Sequence, residues 1–185
     1  MKKFFKIISL MLVMVLLISL VVYSRRIYLK NAYPIKYSEY VLKYSKEYNL
    51  DPYFVYAVIR TESDFQKDAT SSVNAKGLMQ ITEITFDWIN TKLGNKQNSF
   101  EDMYNPEINI KNGTFLLSYL KNELGLNQNI LCGYHAGVNK AKEWLKDTQI
   151  SKNGEIIETK IPFADTKAYV NKVMKTYNMY INLYK

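Results

Sequence analysis

Cysteine and histidine are all but missing from this 185-residue chain, with Cys132 and His135 the single representatives of their types. One cysteine cannot close an internal disulfide, and one histidine beside it argues against a zinc site built on Cys and His ligands. Acidic residues are absent from the first thirty positions, which hold Lys2, Lys3, Lys6, Arg25, Arg26 and Lys30. Those six basic groups carry most of the net charge of +8, leaving 19 basic against 17 acidic residues, or +2, for residues 31–185. So small a surplus removes the main support for nucleic-acid binding, whose footprint is a clustered basic face. No internal repeat or low-complexity linker divides those roughly 150 residues, the size of one ordinary domain with its own core.

Between the two basic groups near the N-terminus, Ile7 to Ser24 is an uncharged and almost wholly apolar run of 18 residues. That is close to the ~20 residues a helix needs to span the hydrocarbon of a bilayer, and Phe4 and Phe5 can extend it. A cleavable signal peptide has a shorter apolar run and small residues before the cut, a pattern that Val22-Tyr23-Ser24 meets poorly. The expectation is an uncleaved anchor over residues 1–30, a short stalk over 31–36 and a domain over 37–185. Secretion after cleavage is the alternative. Basic residues at both ends do not orient the helix, and the lack of a Cys after the run excludes a lipoprotein anchor.

Helical periodicity dominates the remainder. Tyr37, Tyr40, Val41, Tyr44 and Tyr48 recur at three and four, and Asn49 ends that helix. Asp51-Pro52 starts the next, with a capping carboxylate and a proline at the first position. Thr82 caps a helix running to about Leu93, with Gly94 as its stop. Phe86 and Ile89 face inward there; Trp88 fits either the core or a groove, with core packing favoured. Asn105-Pro106 opens a helix to Gly125, for which Ile108, Ile110, Phe115, Leu116, Tyr119 and Leu120 supply a buried side. Another follows through Ala141, Trp144 and Leu145. Asn153-Gly154, flanked by Ile150 and by Ile156-Ile157, reads as a short hairpin. A last helix carries Tyr169, Val170, Val173, Met174, Tyr177 and Tyr180 on its apolar side. Most of the sixteen tyrosines fall on such stripes, where packing accounts for them without a ligand.

Phe54, Val55, Val58 and Ile59 form one apolar stripe, and Glu62 lies four residues after Val58 on or beside it. Desolvation there raises a carboxyl pKa, as a general acid working near neutral pH requires. Spacing alone leaves a second reading open, in which Glu62 ends its helix at the surface or pairs with a buried Arg or Lys.

A longer pattern follows Glu62. Ser63, Phe65, Ser71, Ala75 and Gly77-Leu78-Met79-Gln80-Ile81 stand at the offsets E-S-x-F, a Ser nine residues after the Glu, and G-L-M-Q-I. This resembles the soluble lytic transglycosylase family, lysozyme-like enzymes that cut bacterial cell-wall glycan. Three further segments resemble that family in order. Asn105-Pro106 with Asn109-Ile110 and Gly113 has an architectural role. Gly133-Tyr134-His135-Ala136-Gly137 stands for the family's A-Y-N-A-G. Ile161-Pro162 with Asp165, Thr166, Tyr169 and Val170 stands for I-P-x-x-E-T-x-x-Y-V.

The resemblance implies a mostly α, goose-type lysozyme-like domain with a short hairpin, here behind one N-terminal transmembrane helix, acting outside the cytoplasm on peptidoglycan glycan strands. It implies one working carboxyl. Glu62 protonates the glycosidic oxygen between N-acetylmuramic acid and N-acetylglucosamine, then takes the proton of the muramic 6-hydroxyl, leaving a 1,6-anhydro end. Ser71 hydrogen-bonds near the acetamido group, Gln80 and Tyr134 hold the sugar and steer Glu62, and Met79 lines the site, with no metal or cofactor. Two residues depart from the pattern. His135 replaces Asn and either donates a hydrogen bond and adds a pH dependence, or simply caps or packs. Asp165 is one methylene shorter than the usual Glu, so its reach toward substrate is reduced. A hydrolase of the same fold, a non-catalytic peptidoglycan-binding module and a membrane-tethered helical scaffold are the rival readings.

Overall fold

Local chemistry starts the helices where the sequence places them. In the computed structural model, which describes residues 1–94 and 98–185, the Asp51 carboxylate accepts from the Tyr53 N–H at 2.8 Å and Pro52 opens α3. The Asn105 side chain accepts from the Glu107 and Ile108 N–H groups and Pro106 opens α5, while Thr82 caps α4 through the Thr85 N–H. The order is α1 (Lys2–Ala32), α2 (Ser38–Glu47), α3 (Pro52–Ser63), α4 (Glu83–Leu93), a 3-10 turn (Phe100–Tyr104), α5 (Pro106–Leu124), α6 (Asn127–Ala136) and α7 (Val138–Lys146). Then come β1 (Ser151–Lys152), β2 (Glu155–Ile156), a second 3-10 turn (Glu158–Lys160) and α8 (Ala164–Tyr184). The strands pair Ser151 with Ile156 and Lys152 with Glu155 across Asn153-Gly154, both at positive φ, as a two-residue hairpin requires. Asn129 on α6 ties this hairpin down, accepting from the Ile156 N–H and donating to the Gly154 carbonyl, each at 2.9 Å.

The core is built around α3. All of Phe54–Ile59 is buried, so the helix is enclosed on every side rather than along one stripe. Val170, Val173 and Tyr180 of α8 cover one flank, and Ile110, Leu117 and Leu120 of α5 with Ile130 and Leu131 of α6 complete the interior. The buried side of α5 differs from the apolar stripe expected of it. Ile108, Phe115, Leu116 and Tyr119 are half-buried, while Asn109, Asn112, Gly113 and Thr114 lie inside with Ile110, Leu117 and Leu120. The cause is Met79, whose side chain lies against bare Gly113 backbone. A Cβ on Gly113 would sit 2.2 Å from the Met79 sulfur. Gly113→Ala is expected to destabilise the domain by about 1–3 kcal/mol, since the flexible thioether yields only part of the overlap. Chemical denaturation tests this, and an unchanged midpoint would mean that Met79 has room to move.

α1 is, among the described residues, the one helix long and apolar enough to cross a membrane, and its side chains are almost all exposed. Residues 31–36, expected as a stalk, are fastened to the domain. Arg60 Nε donates to the Ala32 carbonyl at 2.8 Å while its guanidinium lies 4.2 Å from the Tyr33 ring centroid. The Tyr180 hydroxyl donates to the Pro34 carbonyl at 3.0 Å, and that of Tyr184 to the Tyr33 carbonyl at 2.8 Å.

Candidate active site

Glu62 occupies the last turn of α3, where the chain reverses sharply. Asp64 (φ 49°) and Phe65 (φ 64°) both adopt left-handed backbone, uncommon for residues other than glycine, and the buried Phe65 ring holds them there. The Ser63 hydroxyl donates to the Leu78 carbonyl at 2.8 Å, joining the end of α3 to the turn at residues 76–81. That turn carries two more left-handed residues, Gly77 and Gln80, and a Cβ on Gly77 would lie 2.1 Å from the Met103 carbonyl oxygen.

One fully buried amide fixes the turn from beneath. Asn109 Oδ1 accepts from the Met79 N–H at 2.8 Å, and its Nδ2 donates to the carbonyls of Lys76 at 3.0 Å and Met103 at 2.8 Å. From the opposite side the Tyr134 hydroxyl donates to the Met79 carbonyl at 2.6 Å. The peptide groups around Met79 are therefore clamped between α5 and α6. Outside the turn, Lys76 is buried over the Phe100 ring and pairs with Glu101 at 2.5 Å.

The carboxyl itself is half-buried. Its Oε1 accepts from the Tyr169 hydroxyl at 2.7 Å, and Tyr169 stacks parallel to Tyr134 with ring centroids 6.5 Å apart. Burial pushes the Glu62 pKa up to about 7, against the opposing pull of the Tyr169 hydrogen bond and of the Lys172 charge. Burial, with the Glu62 charge beside them, also holds both phenols well above the ordinary tyrosine value. Both stay protonated, and Glu62 is poised to hold or release a proton near neutrality. His135, exposed at the end of α6, lies 4.7 Å ring to ring from Tyr169 and shares a 3.0 Å hydrogen bond between Nδ1 and the Thr166 hydroxyl.

Tyr134 also borders a groove of about 340 Å³ walled by Thr85, Trp88, Leu116, Tyr119 and Val138. Trp88, for which core packing is the expectation, is half-buried in that wall and packs against the edge of the core, its ring 4.6 Å from that of Tyr119.

Other expected site residues fall in several settings. Ser71 closes its own tight loop, its hydroxyl accepting from the Ala75 N–H at 3.1 Å and keeping a hydrogen to donate. The Gln80 amide nitrogen donates to the carbonyls of Ala69 at 3.2 Å and Gly77 at 3.0 Å, holding the loop and leaving its oxygen as an acceptor. Met79 is fully buried, so its side chain props the turn from below instead of lining an open surface. Asp165 is exposed in the first turn of α8, accepts from the Thr166 N–H at 2.8 Å and, among the described residues, makes no hydrogen bond to Glu62. Among the described residues no three His, Cys, Asp or Glu side chains converge as a metal site would need.

Sequence reasoning missed Tyr169 and Asn109 as parts of the site. Tyr169 lay on the apolar stripe of the last helix, and its place four residues after Asp165 in the I-P-x-x-E-T-x-x-Y-V pattern was the available signal. The sequence pattern marks Asn109 as architectural without indicating which atoms it holds.

Residues 39–157 match the family model of the transglycosylase SLT domain. The soluble lytic murein transglycosylase of Salmonella typhimurium is 28% identical over 154 residues, which cover 80% of this chain and 23% of that protein. The membrane-bound lytic murein transglycosylase C of Haemophilus ducreyi is 28% identical over 80% of this chain and 46% of its own length. Among solved structures, an inactive glutamate-to-glutamine mutant of the lytic transglycosylase Slt from Pseudomonas aeruginosa superposes with a TM-score of 0.75. It is 28% identical, and the match covers 85% of this chain and 26% of that one. The mostly α fold with one short hairpin is thus the fold of those catalytic proteins, while the chain spans between about a quarter and a half of these relatives' lengths.

Proposed function

The chain belongs to the transglycosylase SLT family, and from that premise we propose that it is a membrane-anchored peptidoglycan lytic transglycosylase whose acid and base are both Glu62. The observation that carries the reading is a half-buried carboxyl with its pKa raised to about 7, hydrogen-bonded to Tyr169, whose stacking partner Tyr134 borders an aromatic-walled groove. With the Tyr169 hydroxyl donating to Oε1, the proton is held on Oε2. Glu62 passes it to the glycosidic oxygen as the bond from C1 of N-acetylmuramic acid breaks. The substrate's own acetamido oxygen stabilises the cation at C1, in the manner of substrate-assisted glycosidases. Glu62, now anionic, takes the proton of the muramic C6 hydroxyl as that oxygen bonds to C1. One glycosidic bond between sugars is exchanged for one within the muramic residue, from C1 to O6, N-acetylglucosamine leaves with the first proton on its 4-hydroxyl, and the carboxyl ends protonated as it began. Sugar rings lie along Trp88 and Tyr119, and Ser71 and the free oxygen of Gln80 serve the acetamido and hydroxyl groups. α1 crosses the membrane once and holds the domain on its outer side.

Full-length protein in lipid nanodiscs, mixed with purified peptidoglycan, is expected to release fragments with 1,6-anhydromuramic ends by mass spectrometry. Reducing muramic ends would make it a hydrolase using water, and binding without release would make it a non-catalytic module.

Tyr169→Phe removes a hydrogen bond that favours the Glu62 anion. The Glu62 pKa is therefore expected to rise further, moving the alkaline limb of the rate profile to higher pH. The peak rate should fall about tenfold, on the order of one lost hydrogen bond to a charged group. An unshifted profile would mean that Tyr169 only packs.

A further inference from the structure

α3 and α8 lie side by side with Glu62 at one end and a separate cavity at the other. From Tyr169, the partner of Glu62, to Tyr184 the last helix rises about 22 Å. At that far end the hydroxyl of Tyr53, in the first turn of α3, donates to the Tyr184 carbonyl at 2.9 Å and the two rings stack. A pocket of about 250 Å³ opens there, lined by Ile35, Leu42, Pro52, Tyr53, Tyr56 and Tyr184. Tyr56 brings an unsatisfied group to it. The residue is 1% exposed, and among the described residues its hydroxyl has no hydrogen-bond partner. Tyr53 and Tyr184 both add to the rise that burial gives its pKa, which puts the hydroxyl on their side, toward the pocket. A buried phenol with nothing to bond costs stability, and a ligand that accepts its hydrogen recovers the loss.

This is the end of the domain that α1 enters. The C-terminal part of α8 descends past the collar toward α1: the Tyr180 hydroxyl reaches the Pro34 carbonyl, and that of Tyr184 is shared between the carbonyls of Tyr33 at 2.8 Å and Lys30 at 3.4 Å. Lys30 Nζ lies 5.4 Å from the centroid of the Tyr184 ring, one wall of the pocket. From Ser24, the end of the apolar run, to Lys30 a helix rises about 9 Å, against about 5–7 Å for the interfacial layer on each side of the hydrocarbon. A lysine side chain covers the remainder. No acidic residue occurs before Glu39, and among the described residues Arg25, Arg26 and Lys30 make no ion pair. Positive charge on the outer side of a membrane is the disfavoured arrangement, and anionic headgroups offset it.

We propose that the pocket binds one anionic phospholipid of the outer leaflet, with a small hydroxyl-bearing headgroup inside and its phosphate on Lys30. The proposal rests on the membrane-anchored reading above. The cavity is smaller than the ~300–1,000 Å³ of sites that enclose a whole drug-sized ligand, so it takes the headgroup and leaves the acyl chains in the bilayer. The C–H faces of a glycerol headgroup pack on the tyrosines and Leu42, and one of its oxygens accepts from Tyr56. Lys30 and Arg26, one turn apart on α1, meet the phosphodiester.

Full-length protein in detergent is titrated with phosphatidylglycerol, phosphatidylpropanol and phosphatidylcholine, and native mass spectrometry measures the bound lipid. The first two share charge and carbon skeleton and differ only in the headgroup hydroxyls. Wild type is expected to bind phosphatidylglycerol about fivefold more tightly than phosphatidylpropanol, on the order of one hydrogen bond. Tyr56→Phe keeps the ring and removes only the unpaired hydroxyl, so it should fold and should abolish that preference. Lys30→Gln should weaken both anionic lipids about fivefold and keep the preference. Equal binding of the two by wild type, or a preference that survives Tyr56→Phe, overturns the proposal. If phosphatidylcholine binds most tightly, the tyrosines form a cage for quaternary ammonium and the anionic assignment falls. Flotation with neutral phosphatidylcholine vesicles tests the anchor separately. Protein that floats but shows no headgroup preference keeps its anchor and loses the site. Protein that stays in solution yet binds phosphatidylglycerol through Tyr56 loses the anchor and keeps the site, and protein that does neither loses both.

Discussion

Glu62→Gln is expected to lower glycan cleavage by about 10³-fold, the usual contribution of a positioned general acid and base, and at the same time to stabilise the domain above neutral pH. Both effects come from one property. The folded-state pKa of Glu62 is raised from the ordinary 4.5 to about 7 by burial. Below pH 4.5 folded and unfolded chains both hold the proton, and Glu62 costs nothing. As pH rises from 4.5 to about 7 the unfolded chain ionises first, so stability falls. Above about 7 the loss is complete, on the order of 3 kcal/mol. Gln has no proton to lose and escapes the penalty. The gap in melting temperature between variant and wild type should therefore open between pH 4.5 and 7 and then level off, at on the order of 8 °C for a domain this size. Thermal unfolding at pH 4, 6 and 8 measures it. A gap independent of pH would show that Glu62 is not a desolvated acid, whatever the loss of rate.

Asn109→Ala is expected to be the most damaging single truncation in the domain, at on the order of 4 kcal/mol. The side chain satisfies three buried backbone groups, the Met79 N–H and the carbonyls of Lys76 and Met103, and alanine leaves all three without a partner. A second variant separates lost bonds from lost volume. Asn109→Asp keeps the acceptor for Met79 but turns a carboxylate oxygen toward two carbonyls. It should be at least as damaging at pH 8 and partly relieved at pH 4, where the acid can donate. Denaturant titrations at the two pH values decide the matter. If the Asp variant, which keeps the volume, has the wild-type midpoint at both pH values while the Ala variant does not, volume and not hydrogen bonding is what Asn109 supplies.

What could be read from the sequence was mostly what neighbours in the chain determine. Asp51-Pro52, Thr82, Asn105-Pro106 and Asn153-Gly154 each act on groups two or three positions away, and each element begins or turns there. The pairing of Glu62 with Tyr169 joins residues 107 positions apart, and a tyrosine on an apolar stripe looks the same whether its hydroxyl faces solvent or a carboxyl. The buried face of α5 departs from its apolar stripe for a related reason. Polar Asn109 and side-chain-free Gly113 are inside because the Met79 turn needs hydrogen bonds and space there, which hydrophobicity does not encode. Glu62 was legible as a candidate acid, since its position on an apolar helix already implied desolvation.

The fastening of residues 32–34 to Arg60, Tyr180 and Tyr184 bears on how such a protein would explore its surroundings. A loose linker would let the domain sweep a hemisphere above its point of attachment. A helix that enters the domain through a bonded collar behaves as a mast. With α1 in a bilayer, Glu62 keeps one height and one tilt, and only sliding and spinning of the whole molecule in the plane of the membrane bring new bonds to it. On the proposed reading, the layer of wall within reach is then a thin sheet of fixed altitude, set by the collar and independent of how crowded the space above becomes.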